Sequence, residues 1–410
     1  MPKNDEKSKP GISSLHPTVK AAGWVSLFTD FSSDMIIPLL PLFLKSTLMS
    51  GMAFIGLIEG AAETTASILK LCSGYISDRL RRRKALVLIG YTLSSIARPL
   101  MSVTQAAWHV LLLRITDRIG KGIRTSPRDA LVADCTPPEI RGLAFGYQRA
   151  MDNAGAIVGP LVGAGLLWVF QRHFLWGEAY SFRVVFAVAA IPGLLVPFII
   201  ARYIQDTPLT AATQGSEIEK SIVKDKRAKP LGARFWTYMA AVLLFTLGNS
   251  SDAFLILRAN QAGLPDWQIP LLWAAFNAIR TFSSVPGGRL SDRVGRKPMI
   301  FAGWLIYAVS YLLFGVAGAA WQMWALLLFY GLYYGCVEGT ERALVSDLVG
   351  PELRGTAYGI FHGAIGLAAL PASLLFGFVW ESAGQPLPAF LMGAGFAGFA
   401  AIVLFFVRCE

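Results

Sequence analysis

The sequence predicts an all-α membrane protein of twelve transmembrane helices, arranged as two parallel six-helix repeats. Three observations predict it: an apolar, charge-poor composition, apolar runs of membrane-spanning length, and an internal repeat near 213 residues. Hydrophobic residues make up 54% of the 410 residues, and Asp, Glu, Lys and Arg together only 15%. An average soluble chain carries about 25% charged residues. So few charges cannot cover a soluble domain of this size, and the apolar content excludes disorder. The runs are long and continuous, not the roughly 10-residue alternation of a β-barrel. Cys72, Cys135, Cys336 and Cys409 lie far apart with no CxxC spacing. Neither a disulfide framework nor a metal site is expected, and no cofactor is implied.

A membrane-crossing helix needs about 20 mostly apolar residues. Residues 184–200 and 388–407 contain no charge at all. Ten further windows are interrupted by isolated polar residues. Taken in order, the expected spans are 20–45, 51–77, 84–104, 107–134, 141–170, 181–203, 233–261, 266–290, 298–318, 320–347, 354–380 and 387–408. The one long polar stretch, residues 205–232, holds nine charged side chains and divides the spans six and six. The expected organisation is a bundle over 1–204, a cytoplasmic linker over 205–232 and a second bundle over 233–410.

Orientation follows from lysine and arginine placement. The N-terminal tail carries Lys3, Lys7, Lys9 and Lys20. The loop after span 2 carries Arg79, Arg81, Arg82, Arg83 and Lys84, and the loop after span 8 carries Arg293, Arg296 and Lys297. The turns near 105 and 319 carry none. Both termini are therefore expected in the cytoplasm of a multi-pass cell-membrane protein, a bacterial inner membrane being the expected setting. The polar N-tail does not read as a cleaved signal peptide.

The repeat fixes the relation between the halves. Asp134-Cys-Thr-Pro-Pro138-Glu139-Ile-Arg141-Gly142 matches Asp347-Leu-Val-Gly-Pro351-Glu352-Leu-Arg354-Gly355. Gly74-Tyr-Ile-Ser-Asp78-Arg79 matches Gly288-Arg-Leu-Ser-Asp292-Arg293, and Ser32-Ser33-Asp34 matches Ser250-Ser251-Asp252. The three pairs fall in the same order, and both copies start from the same side. The halves are thus parallel repeats, one known plan for a transporter.

The loop Gly288-x-x-x-Asp292-Arg293-x-Gly295-Arg296-Lys297 resembles the signature cytoplasmic loop of the major facilitator superfamily. There it joins the second and third helices of each half. The first copy keeps Asp78-Arg79 but has Arg81 where the second glycine is usual. The run Asp117-Arg118-Ile-Gly120-Lys121-Gly122-Ile-Arg124 resembles a branch of prokaryotic permeases with mostly unassigned substrates. It overlaps the superfamily pattern Arg-x-x-Gln-Gly-x-Gly: Arg118 and Gly122 fit, Lys121 replaces the glutamine and Arg124 a glycine. In proton antiporters of the superfamily that arginine is linked to proton transfer. The resemblance implies the superfamily fold, a cavity lined by spans 1, 4, 7 and 10, and secondary active transport. Through the branch it also implies export, an efflux antiporter.

Ionisable groups inside a membrane are costly and mark cavities or partners. Asp30 and Asp34 share a face of span 1, and Glu59 and Glu63 a face of span 2. Span 4 carries a cationic stripe. The expected proton-coupling or substrate-binding set is Asp30, Asp34, Glu59, Arg118, Arg124, Asp252 and Glu338, with Asp30 or Asp34 paired to Arg118 or Arg124. Asp78, Arg79, Asp292, Arg293, Arg141 and Arg354 are expected to gate the cytoplasmic side. No nucleophile–base arrangement suggests an enzyme, and no Walker A run suggests ATP. The expected partners are a small organic solute, protons and the lipid bilayer, with no nucleic acid, and the chain is expected to be a monomer. The alternatives are a lipid or amphiphile flippase, opening between spans 5 and 8 or 2 and 11, and a membrane sensor that no longer transports.

Overall fold

The fold is known from a computed structural model, which describes residues 12–80, 83–137, 140–205, 231–350 and 353–407; for 74–80 only the backbone is described. Twelve rods follow one another. They are α1 (Pro17–Thr47), α2 (Met52–Leu80), α3 (Arg83–Val103), α4 (Ala107–Asp134), α5 (Arg141–His173) and α6 (Glu178–Tyr203). After the linker come α7 (Ala233–Gln261), α8 (Gln268–Val294), α9 (Arg296–Val316), α10 in two pieces (Ala320–Val337 and Thr340–Asp347), α11 (Arg354–Ala383) and α12 (Leu387–Phe405). The expected linker falls almost wholly outside the described residues.

Local chemistry accounts for the ends. Pro17 opens α1 at a position whose N–H needs no partner, and the His16 ring accepts from the Thr18 N–H at 3.2 Å. Gly295 has φ +98° and turns α8 into α9, a conformation that costs a glycine little. Nine of the rods are long and apolar enough to cross a membrane, among the described residues. The other three are α4, α8 and α10. Of these, α4 carries seven of the charged side chains that line the site described below.

An even number of crossings places both chain ends on one side, called here the terminal side. In the first half α1 packs on α5, α3 on α4, and α2 on α4. In the second half α8 packs on α10, and α9 and α7 on α12. The halves meet along α2–α11 and α5–α8. The α2–α11 seam is very close. A Cβ on Gly56 would lie 2.2 Å from the Ser373 carbonyl oxygen, and one on Gly377 would lie 2.4 Å from that of Met52. Glycine lets the backbones approach this far. Thr64 also donates across the seam to the Gly366 carbonyl at 2.6 Å.

The two cores differ in kind. Trp304, Tyr307, Tyr311 and Tyr330 are fully buried in the second half. The Phe245 and Trp304 rings stack at 4.8 Å, and Tyr307 and Tyr311 at 4.1 Å, which adds to plain area burial. The corresponding positions of the first half are Tyr91, Ser94, Arg98 and Asp117, the last two a buried ion pair.

Candidate functional site

A cavity of about 1440 Å³ lies between the halves. It is lined by α1, α2, α4, α5, α7, α8 and α10, with Arg98 of α3. From α5, α8 and α10 it takes residues on the terminal side of mid-membrane, among them Phe145, Arg149, Val285 and Arg342. It therefore opens toward the terminal side. On the opposite side the bundle is sealed. Leu39, Leu40, Leu42, Phe43 and Leu44 of α1 are buried, as are Phe254 to Leu257 of α7. The Glu381 carboxylate of α11 reaches across the halves to accept from the Ala53 N–H at 2.8 Å, capping the start of α2. A carboxylate there also complements the positive end of that helix.

The lining carries nine carboxylates and nine basic side chains among the described residues. Net charge alone therefore selects no sign of cargo, and the pairing matters more. Arg98 meets Asp117 at 3.0 Å, both buried, and also donates to the Thr29 carbonyl at 2.9 Å. Arg114 holds Glu59 through both carboxylate oxygens, at 2.9 and 2.7 Å. Arg128 lies 3.1 Å from Asp129 and 3.8 Å from Asp152. Glu338 gathers Arg149 of the first half at 2.8 Å, Arg280 at 3.1 Å and Arg342 at 3.8 Å.

The remaining charges have no ionic partner among the described residues. Asp34 accepts from Trp273 Nε1 at 3.2 Å across the halves, and from Ser33 at 3.4 Å. Asp252 accepts from the hydroxyls of Tyr330 at 3.0 Å and Tyr334 at 3.1 Å. Arg124 donates to Ser94 at 2.6 Å and stacks over Tyr91 at 4.3 Å. The side chains of Asp30, Glu63, Arg118 and Lys121 make neither an ion pair nor a hydrogen bond there, and Arg118 Nε is a buried donor without an acceptor.

All seven expected central residues line this cavity. The expected pair between Asp30 or Asp34 and Arg118 or Arg124 is not formed. Asp34 faces the second half and is taken by Trp273, while Arg124 is satisfied by Ser94 and Tyr91. Arg98 and its partner Asp117 are not among the expected central residues. The lone Arg98 inside an apolar span was the available signal, because a buried guanidinium requires an acid.

Of the expected gate residues, the side chains of Asp78 and Arg79 lie outside the described set. Asp292 accepts from Arg296, which also lies 3.6 Å from Asp347 at the end of α10. The equivalent first-half pair, Arg83 with Asp134, stands 213 residues earlier at both positions. Each repeat thus ties its span 2–3 turn to the end of its fourth span. Arg141 donates to the Thr136 carbonyl at 3.3 Å, and Arg293 and Arg354 are exposed. Sequence reasoning named Asp292 and left out Arg296, the residue that bridges.

The wider comparisons agree with this geometry. The Major Facilitator Superfamily profile matches residues 22–280 and 259–409. An uncharacterised MFS-type transporter of Methanocaldococcus jannaschii is 33% identical over 99% of this chain and 98% of its own. A multidrug resistance protein, MdtH, of Cronobacter sakazakii is 24% identical over 82% of this chain and 81% of its own. Among solved structures, a bacterial homologue of the human lysosomal transporter Spinster, inward-facing and occupied, superposes with a TM-score of 0.75 at 16% identity, covering 95% of this chain and 96% of its own. A D-xylose–proton symporter gives 0.73 at 19% identity, covering 95% and 97%. With its all-helical multi-pass bundle, its duplicated loop motif and a profile match over nearly its whole length, the chain belongs to the major facilitator superfamily of transporters.

Proposed function

We propose that this transporter is proton-coupled and exports a small organic solute by alternating access, with both termini in the cytoplasm of a bacterial-type inner membrane. The terminal side is then the cytoplasmic side, and the cavity is in its inward-open form. The observation that carries the reading is the set of charges left unpaired in a cavity sealed at its far end. Neutralising Asp117 or Glu59 would strand a buried guanidinium, which is strongly destabilising. Neutralising Asp30 breaks no ion pair. Of the four carboxyls without an ionic partner, Asp30 is the one we assign to exchange a proton with cavity water while the frame stays intact. It lies beside Lys121 and Asp152, so its charge is felt by α4 and α5 together.

Rocking is supported by the contacts between the halves. Among the described residues, polar contacts between the halves include Arg149 to Glu338, and Asn277 to the Ala156 carbonyl at 3.2 Å. Such contacts can exchange for water as the halves part. Export is supported by the likeness to MdtH and to the permease branch.

The test is purified protein in liposomes with an internal pH dye, challenged with fractionated metabolite pools. An active pool should move protons through the unaltered protein. Asp30→Asn should lower proton movement at least tenfold while solute exchange at equal pH persists. Undiminished proton movement in Asp30→Asn would overturn the assignment.

A further inference from the structure

Two sets of the cavity's unpaired charges come from different walls, with Asp30 and Glu63 lying near Lys121 and Arg118. One pole is Arg118 and Lys121, one turn apart on α4 and both on the cavity wall. Arg118 Nε is a buried donor with no acceptor. Leaving such a donor unmet is costly, the more so for a charged group, so the Arg118 guanidinium is short of acceptors. The other pole is Asp34 and Asp252. They come from the repeated Ser-Ser-Asp segments, one from each half, and both line the cavity. Each is held only by neutral donors: Trp273 and Ser33 on one, Tyr330 and Tyr334 on the other. Carboxylates with spare lone pairs beside aromatic faces suit an ammonium group.

The two poles restrict the cargo. A simple anion would satisfy Arg118 and leave the unpaired carboxylates, Asp34 and Asp252 among them, facing it. A lipophilic cation would satisfy the carboxylates and leave Arg118 stranded. The nine acids and nine bases of the lining match a cargo without net charge.

We propose that the cavity binds a small zwitterion, its anionic group on Arg118 and Lys121 and its amine between Asp34 and Asp252. The proposal rests on the transporter reading above and names the cargo class of the same site. The amine bridges the two halves through Asp34 and Asp252, so bound cargo holds them at a fixed separation. The anionic group sits on the first half alone.

The test is an equilibrium binding measurement on the full chain in detergent, without any proton gradient. The probes are β-alanine, the ω-amino acids up to 6-aminohexanoate, and L-alanyl-L-alanine. Each is compared with its C-terminal amide and its N-acetyl derivative, with tetraphenylphosphonium as the lipophilic cation, and thermal unfolding reports occupancy. At least one zwitterion should raise the unfolding midpoint, and loss of either charge should weaken it tenfold or more. Arg118→Gln should bind that zwitterion and its amide alike. Asp252→Asn should bind the zwitterion and its N-acetyl form alike, and Asp34→Asn serves the same comparison where Asp252→Asn does not fold. Singly charged forms binding as tightly as the zwitterion would overturn the proposal. So would tetraphenylphosphonium binding where no zwitterion binds, and so would a wholly silent panel. None of these outcomes touches proton coupling, which the Asp30→Asn experiment judges separately.

Discussion

Arg98 and Asp117 show how a membrane bundle can hold charge without exposing it. Both are buried, they meet at 3.0 Å, and Arg98 adds a bond to the Thr29 carbonyl of α1. Three rods, α1, α3 and α4, are tied at one point. The positions 213 residues later are Tyr311 and Tyr330, whose ring centroids lie 6.2 Å apart. The second half thus solves the same packing problem with aromatic area. Breaking one partner of a buried pair costs about 3–5 kcal/mol, whereas replacing both by apolar residues is often neutral. Arg98→Gln is therefore expected to lower the thermal unfolding midpoint strongly in detergent, and Arg98→Met with Asp117→Leu to restore most of it. A double variant no better than the single would show that the bond to Thr29, and not the ion pair, is the tie. The sequence displays each of these charges, since a lone charge in an apolar run is conspicuous. It does not display the partners. Arg98 and Asp117 lie on different rods, and Asp34 finds its donor in the other half of the chain, so partner choice depends on rotation and tilt about the rod axes.

At the scale of the helix, span positions are legible because an unbroken run of about 20 apolar residues matches the thickness of the bilayer's hydrocarbon core. The interruption of α10 between Val337 and Thr340, which sets Glu338 facing three arginines, is less legible: the only local sign is Gly339. The glycines are half legible. Those of α5 and α11 recur near every fourth residue, which marks a small-residue face but not which of them meet a neighbour. A Cβ on Gly155 or Gly159 would meet the α1 backbone at 2.4 or 2.5 Å, while Gly142, Gly146, Gly355 and Gly359 face nothing within 4 Å. A close seam that these glycines do not mark is on α2, where Gly56 meets the Ser373 carbonyl of α11. Gly56→Ala forces backbone to move, and overpacking of this kind costs about 1–3 kcal/mol. Gly359→Ala has room and gains up to about 1 kcal/mol of helix propensity. Opposite shifts in the unfolding midpoint are expected, down for Gly56→Ala and level or up for Gly359→Ala. Equal effects would mean that the seam yields more easily than its spacing suggests.

For the molecule as a whole, the duplication was readable from three matched segments, because each is a place where the backbone or a charge has one local task. The conformation was not readable, since opening one side and closing the other uses the same residues. The sealed side has its own chemistry. Asp266, in the turn between α7 and α8, bonds to Asn260 at 3.0 Å and to Gln171 of the first half. Burial, and then the nearby Glu178 carboxylate of the first half, push Asp266 up from 3.8 to about 6. Glu178 is itself held by Ser46. An acid whose pKa is raised in one form favours that form when protonated. The advantage to the sealed form is complete below pH 3.8 and is lost as pH rises through about 6. Above that, two carboxylates from opposite halves face each other and favour parting. Spin labels at Trp108→Cys and Trp321→Cys, in a background without the native cysteines, would report the distance across this side, since both residues are exposed at the starts of α4 and α10. The short-distance population should grow as pH falls from about 7 to about 5, the interval that brackets the raised acid. In Asp266→Asn it should stay high at both, because the repulsion is gone at every pH. If Asp266→Asn keeps the full pH response, the sensor lies elsewhere, and the acids of the central cavity are the next to test.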